Sequence, residues 1–372
     1  MKMIKRNILL CFLLCLSSLF AQQDSDSLLE TASRLIYERP QEAIDLAGKV
    51  YEDSSTNEEE KVRALLIISS GYASMRDYDH SLESMLKATS YFDKLKDESQ
   101  KINILNRIGG QYEQMKIYDK AIEYLDLALE RIENYPVQDS VRPFLGYNNV
   151  MRGFIYREQM NCEIALNYFD RGINAYLNST ENNTRNGNVS IIYYNKGNCL
   201  ISLGKLDEAS ESFSLSKEYA EKIAASSLIG FANKGLAEVN SRQGNYKEAI
   251  DILQTALTQA EAVGDLVLNR GLYFGLSNNY LALKDWENYS KYRDLYLELK
   301  LSTRSAERSS INQSLVSITE EREMEIANFR KTYTPLFIGL GILILVILFY
   351  LIREVIRSEK KLKKLKYTLK NI

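Results

Sequence analysis

The side chains that most often carry catalysis or bind metals are scarce in this sequence of 372 residues. It has one histidine, His80, and four cysteines, so a nucleophile paired with a histidine base has few ways to form. No CxxC pair is present, and a zinc site would have to rely on scattered carboxylates. The sequence also lacks the glycine patterns of a phosphate-binding loop, a dinucleotide-binding turn and a G-x-S-x-G elbow. We therefore predict no catalytic residue, no metal site and no cofactor, so the chain is not expected to be an enzyme, and we expect His80 at a solvated helix start.

A pattern of small and large residues recurs along the chain at intervals of 40 to 44 residues. Self-similarity at such a period indicates a repeat architecture in which each unit packs on its neighbours. The clearest copy has Gly109, Tyr112, Tyr118, Ala121, Leu125 and Ala128. Other good copies have Gly153, Tyr156, Cys162, Ala165, Phe169 and Gly172; Gly197, Leu200, Gly204, Leu206, Ala209 and Phe213; and Ala237, Gly244, Tyr246, Ala249, Leu253 and Ala256. Weaker copies have Ser69, Tyr72, Ser81, Met85 and Ala88, and Ser277, Tyr280, Tyr289, Arg293 and Tyr296, and residues 27–53 look like a degenerate first copy.

Each copy predicts two helices joined by a short turn. Apolar residues recur at helical spacing in segments of roughly 14 to 18 residues, and no strand-like alternation appears. The turns contain glycine or aspartate, as in Arg76-Asp77, Gly204-Lys205 and Lys284-Asp285. Residues 178–190, rich in Asn, Ser, Thr and Gly, are predicted to be a loop between repeats.

This pattern resembles the tetratricopeptide repeat. The resemblance implies an all-α superhelix of six to seven helix pairs, whose first helices line a concave face that binds a peptide or protein. On that face it places Asn103, Asn106, Arg157, Glu158, Tyr194, Asn198, Lys234, Glu238, Arg242, Phe274 and Asn278. The mixture of amides, charges and aromatic rings suits an extended peptide. The alternative is that these side chains are ordinary solvated helix faces.

The two ends of the chain predict export and a membrane anchor. The first 21 residues combine a basic start, an apolar stretch and a small residue at a cleavage position, which is typical of a secretory signal peptide; an uncleaved anchor is the alternative. Residues 335–352 are apolar and uncharged and are predicted to cross the membrane once; a buried core helix is the alternative. The basic tail, 353–372, is expected in the cytosol, which puts the repeats on the other side of the membrane. In a bacterium, that orientation places the span in the inner membrane and the repeats in the periplasm.

Charge excludes nucleic acid as a partner of the exported part. The full chain carries −2, the signal peptide contains three basic residues and the tail has a net +6, which leaves −11 between them. An acidic domain without a basic run does not bind nucleic acid. The tail is expected to contact anionic lipid headgroups.

A helical connector is predicted between the repeats, 22–300, and the membrane span. Residues 301–334 lack the repeat pattern but keep a broken apolar stripe, which predicts either a short coiled coil in a homodimer or one helix docked on the last repeat. This order of segments resembles bacterial membrane-anchored sensors, in which a kinase or a helix-turn-helix domain follows the span. Neither follows here, so a scaffold or receptor is the first hypothesis. A signalling protein whose effector is missing or supplied by a partner is the alternative.

Two cysteines, Cys162 and Cys199, lie outside the predicted signal peptide, in neighbouring repeats. A disulfide between these repeats is geometrically feasible. Two small buried cysteines are the favoured prediction, and the disulfide is the alternative.

Overall fold

The computed structural model describes residues 25–36, 39–261 and 265–370, and their side chains except 302–329, 332, 336 and 364–370. The predicted signal peptide lies outside the described residues. The chain divides into two units, Met1–Ile311 and Asn312–Ile372. The helices are α1 (25–35), α2 (Pro40–Glu52), α3 (Glu58–Ser74), α4 (Tyr78–Thr89), α5 (Glu98–Gln114), α6 (Tyr118–Glu133), α7 (Gln138–Glu158), α8 (Cys162–Leu177), α9 (Asn183–Ser202), α10 (Leu206–Glu221), α11 (Ser226–Arg242), α12 (Tyr246–Glu261), α13 (Leu266–Ala282) and α14 (Trp286–Lys370).

The helices pair in sequence, as in a tetratricopeptide superhelix, and the predicted fold class is confirmed. Odd-numbered helices are the first helices of the pairs and even-numbered helices the second. Each helix from α2 to α12 packs on the next one along the chain, and α5, α7, α9, α11 and α13 also contact each other in succession. The first helices therefore form a continuous layer. Helices α6, α8, α10 and α12 each pack on the first helices on both sides of them.

One turn geometry ends the first helix in six successive pairs. At Arg76, Lys116, Met160, Gly204, Gly244 and Lys284 the backbone has a positive φ between 61° and 86°. The next residue then donates its N–H to a carbonyl five positions earlier, as in the 2.9 Å bond from Ile117 to Tyr112. These bonds are those of the Schellman motif, which satisfies carbonyls at a helix C-terminus. Glycine adopts this conformation without strain at two of the six sites, and the other four carry a side chain.

The small residues of the repeat pattern allow close packing between helices. Phe213 of α10 is fully buried, and a Cβ added at Gly197 would lie 2.6 Å from its Cε1. A Cβ added at Gly235, in the next first helix, would lie 2.7 Å from Cγ of the same ring. Phe169 is also fully buried, and it contacts Gly153 in the same way within its own pair. The glycines are thus required by the rings that they face.

Tyrosine pairs join the two helices inside several repeats. Parallel rings stack at 5.6 Å for Tyr112 and Tyr124, at 5.3 Å for Tyr156 and Tyr168, and at 5.6 Å for Tyr280 and Tyr292. Such stacked aromatic pairs stabilise a core beyond the area that they bury.

The predicted loop at 178–190 is wrong over most of its length. Helix α9 already begins at Asn183, and the Asn182 side chain accepts a 2.8 Å bond from the Arg185 amide. The Arg185 guanidinium donates to the carbonyls of Tyr176 (2.9 Å) and Leu177 (3.2 Å) at the end of α8. The polar residues that suggested a loop therefore cap two helices.

Helix α14 contains the second helix of the last pair and also the predicted connector and span, with Pro335 inside it. Residues Tyr333–Lys363 of this helix are long and apolar enough to cross a membrane, and none of this segment is buried in the protein.

Candidate binding face

The first helices carry the residues that sequence predicted for a binding face. We call their exposed and half-buried surface, on α5, α7, α9, α11 and α13, the first-helix face. The predicted residues fall into small groups along it.

The strongest polar group on the first-helix face surrounds Arg157 at the end of α7. Its guanidinium donates to the Asn195 side chain of α9 and, at 2.7 Å, to the carboxylate of Glu158. Arg157 also lies over the Phe154 ring, 5.3 Å from its centroid. The Glu158 carboxylate is 3.8 Å from the Lys116 ammonium of the preceding pair. This group therefore connects three successive repeats at the first-helix face.

A carboxyl that the sequence reasoning missed belongs to the same neighbourhood. Burial raises the pKa of Glu113 in α5 to about 7; the charge of Glu158 raises the pKa further, whereas Arg157 and Lys116 oppose the rise. The glutamate follows Tyr112 of the repeat pattern directly, so its position in the array was readable from sequence. The burial of its carboxyl group could not be predicted from the sequence.

A cavity of about 420 Å³ opens beside this group, between the turn of the fourth pair and the end of α9. Arg157 and Asn198 both line it, so the structure brings these two predicted residues together. Cys162 lines it too and is bonded to Cys199, with Cα atoms 5.2 Å apart, a usual separation for a disulfide. The favoured prediction of two free cysteines is wrong, because the start of α8 lies directly against α9.

An aromatic group continues the face on α9 and α11. The half-buried Tyr194 ring lies 5.5 Å from Phe231 and 5.8 Å from Phe213. The Lys234 ammonium lies 5.5 Å from the centroid of the Tyr194 ring, within the range of a cation–π contact. Part of this tyrosine thus belongs to the core and part faces a cation.

The last two groups lie on α11 and α13. Glu238 and Arg242, one helical turn apart on α11, form a 2.9 Å ion pair. Phe274 on α13 is 48% exposed, and its ring is 5.1 Å from the half-buried Tyr296. Asn278, one turn further along α13, is exposed.

One predicted position does not lie on the surface. Asn106 is 1% exposed. Its side-chain amide donates a 3.0 Å hydrogen bond to the Phe144 carbonyl, and its side-chain oxygen accepts a 2.9 Å hydrogen bond from Asn148. Its expected outward orientation is wrong, because an asparagine at this spacing satisfies backbone between α5 and α7. Asn103, one turn earlier, is half-buried.

His80 lies where the sequence predicted, in the first turn of α4. Its Nδ1 is 2.7 Å from the carboxylate of Asp77, which also accepts from the His80 amide as the helix cap. Its half-exposed ring stacks on Tyr72 at 5.0 Å. Within the described part of the chain, no three histidine, cysteine or acidic side chains are grouped as metal ligands would be.

Comparison with known proteins agrees with this architecture. Residues 191–223, which cover the second part of α9 and all of α10, match the tetratricopeptide repeat family. NprR in complex with its cognate peptide NprX is similar in fold, with 15% identity over 80% of this chain and 87% of that chain and a TM-score of 0.52. A Rap protein complexed with Competence and Sporulation Factor is also similar, with 15% identity over 74% of this chain and 77% of that chain and a TM-score of 0.54.

A third similar structure is a signal transduction ATPase with a tetratricopeptide-repeat sensor from Pyrococcus horikoshii. It has 14% identity over 79% of this chain and 43% of that chain, with a TM-score of 0.57. No curated protein matches the chain. The chain is therefore a tetratricopeptide-type helical repeat protein in fold.

Proposed function

We propose that this protein is a non-catalytic, membrane-anchored scaffold or receptor that binds a peptide or protein partner on its first-helix face. One observation carries the proposal. Successive first helices form a continuous layer from α5 to α13, with side chains of several chemical types exposed along it. An extended ligand can contact many such helices at once, whereas a compact small molecule cannot.

The chemistry of the face suits a peptide. Arg157 and Glu158 offer charges, Asn198 and Asn278 offer amide donors and acceptors, and Phe274 offers an exposed ring. Amides and charges pair with peptide backbone and side chains, while an aromatic ring supplies apolar contact area. NprR in complex with its cognate peptide and a Rap protein complexed with Competence and Sporulation Factor are similar to this chain in fold. Their similarity supports a peptide or protein as the ligand.

The proposed setting is the inner membrane of a bacterium, with the repeats in the periplasm and the basic tail in the cytosol. The uncharged, unburied segment within Tyr333–Lys363 supports an anchor, and the basic residues that follow it support the orientation. The disulfide between Cys162 and Cys199 supports export, because disulfides persist in oxidising compartments.

The alternative is a signalling protein whose kinase or DNA-binding effector is a separate chain. Helix α14 favours it, because this one helix contains the last repeat's second helix and the predicted span. The tetratricopeptide-repeat sensor of the Pyrococcus protein is consistent with it. Crosslinking from tail positions in cells distinguishes the two: protein adducts favour the signalling protein, and lipid adducts alone favour the scaffold.

The binding hypothesis is tested with full-length protein purified in detergent and used to capture partners from the extract of its own cells. The test variant combines Asn198→Ala and Arg242→Ala on the first-helix face. The control combines Glu211→Ala and Thr255→Ala, exposed positions on the second helices α10 and α12. Loss of a partner with the first variant only is expected; unchanged recovery with both would contradict the assignment of the face.

Topology has its own test. A single cysteine at Lys360 should react with a membrane-impermeant maleimide only after the inner membrane is permeabilised. Reaction in intact spheroplasts would contradict a cytosolic tail.

A further inference from the structure

A second cavity lies between the third and fourth pairs. It measures about 390 Å³ and is lined by α6, α7 and α8, so it opens between two second helices. We call it the arginine pocket, since its lining includes Arg142, Arg152 and Arg171. This volume is within the range of small-molecule sites.

Arg152 forms the built part of the arginine pocket. The residue is only 9% exposed. Its Nε donates a 2.9 Å hydrogen bond to the Asn148 side chain, and its Nη2 donates one to the Asp126 carboxylate. Asn148 is itself 1% exposed and fixed by a 2.7 Å bond to the Leu125 carbonyl. The remaining guanidinium hydrogens have no protein acceptor among the described residues. A buried guanidinium fixed on two sides, with free donors toward a cavity, is arranged for an anionic acceptor.

Two neighbouring residues complete the donor set. Arg171 of α8 lies over the Tyr168 ring, 5.6 Å from the centroid, and forms no ion pair in the described structure. Asn149 is 8% exposed and donates 2.8 Å to the Leu145 carbonyl, while its side chain lines the pocket. An arginine, a buried amide and an aromatic ring therefore line the pocket together with Arg152.

The charge balance selects the kind of anion. Arg142 is paired with Asp139 at 2.7 Å, Arg152 is paired with Asp126, and Glu133 lines the pocket as well. Arg171 is then the one arginine of the lining without a carboxylate partner among the described residues. The charges of the unpaired Arg171 and of Glu133 cancel, so a monocarboxylate adds one negative charge, which an amino acid offsets with its own ammonium group, whereas a dianionic phosphate adds two.

We propose that the arginine pocket binds the carboxylate of a small organic acid or amino acid. The guanidinium groups of Arg152 and Arg171 are each planar and forked, and a fork of two N–H donors fits the two oxygens of a carboxylate. Glu133 gives an amino acid an acceptor for its ammonium group. The pocket is independent of the first-helix face, so loss of peptide binding there would leave this proposal unchanged.

The test measures binding of propionate, L-alanine and inorganic phosphate to the full-length protein in detergent by titration calorimetry. At least one carboxylate probe is expected to bind, and more tightly than phosphate. Arg171 is exposed, so Arg171→Gln should fold normally. This variant should bind the carboxylate roughly tenfold more weakly, which is the loss expected for one charge-assisted contact. Arg152→Lys should weaken it as well, because the fork is lost while the charge stays.

The matched control is Arg34→Gln, an exposed arginine on α1 in an ion pair with Glu30, which should leave binding unchanged. If Arg152→Lys fails to fold, the Arg171→Gln variant decides. The proposal is overturned if neither carboxylate binds, if Arg171→Gln binds as the wild type does, or if phosphate binds as tightly as the carboxylates.

Discussion

The packing of Phe213 between two glycines allows a prediction in which one substitution has opposite effects at two positions. Gly235→Ala places a Cβ less than 3 Å from a ring that is fully buried. Ordinary carbon contacts need about 3.5–4 Å, so the ring or the helix must move by about an ångström. The ring cannot retreat, because Gly197 contacts it from its own repeat.

The magnitude follows from two opposing effects. Overpacking of a well-packed core costs about 1–3 kcal/mol. Replacing glycine by alanine inside a helix contributes about 1 kcal/mol of stability. We therefore expect Gly235→Ala to lower the free energy of unfolding by up to about 2 kcal/mol. Gly48→Ala, inside α2 with no atom within 4 Å of the new methyl, should raise it by about 0.5–1 kcal/mol.

The assay is urea unfolding of the full-length protein in detergent, followed by far-UV circular dichroism. Wild type, the two alanine variants, Phe213→Leu and the double variant Gly235→Ala/Phe213→Leu are compared at equal concentration. The smaller side chain should make the alanine at 235 less costly than it is beside phenylalanine, so the two changes should be non-additive. Equal shifts for Gly235→Ala and Gly48→Ala, or a stabilised Gly235→Ala, would refute this account of the packing.

Three further predictions concern a carboxyl, the disulfide and a turn. Because the pKa of Glu113 is raised from 4.5 to about 7, the folded state binds the additional proton, and stability falls as pH rises through that interval. Glu113→Gln should remove this dependence of stability on pH. At pH 8 the variant should be more stable than the wild type by up to roughly 3 kcal/mol in urea unfolding. Reduction of the Cys162–Cys199 bond, whose ends are 37 residues apart, should cost about 2–4 kcal/mol and lower the melting temperature. Lys284→Gly should raise the free energy of unfolding by about 1 kcal/mol, because glycine relieves the positive φ of 61°.

Each of these has a control. Glu59→Gln, at an exposed position of α3, should leave the pH slope unchanged, and a slope that persists in Glu113→Gln would contradict the assignment. A Cys162→Ser/Cys199→Ser variant should not respond to reductant, and free thiols in the oxidised wild type would contradict the bond. Gly204→Ala should lose about 1 kcal/mol at the equivalent turn, and a destabilised Lys284→Gly would refute the strain argument.

The fold was predictable because each position of the repeat pattern has one local requirement, either a small side chain or a backbone that accepts a positive φ. Gly153 and Gly197 face buried rings, and Gly204 has the positive φ of a helix end, so residue size and backbone freedom are visible in the letters themselves. The segment 178–190 misled because helix-capping residues have the composition of a loop. Only the fold shows that Asn182 caps α9.

The binding face was predictable to the level of the helix, not of each side chain. Arg157 and Asn198 line one cavity as members of the predicted set, but Asn106 is buried against α7, the next first helix, and the sequence alone does not show how closely two helices approach. The arginine pocket was not predictable, because Arg152 and Arg171 lie on different helices, and their meeting depends on how the helices of the fourth pair pack together.

The most direct test of the central claim is site-specific photo-crosslinking in living cells. A benzophenone amino acid is placed at Asn198 and at Asn278 on the first-helix face and, as the control, at Thr255 on a second helix. The account predicts that both first-helix positions capture the same partner and that position 255 does not. Equal capture from position 255, or no adduct from either first-helix position, would contradict it.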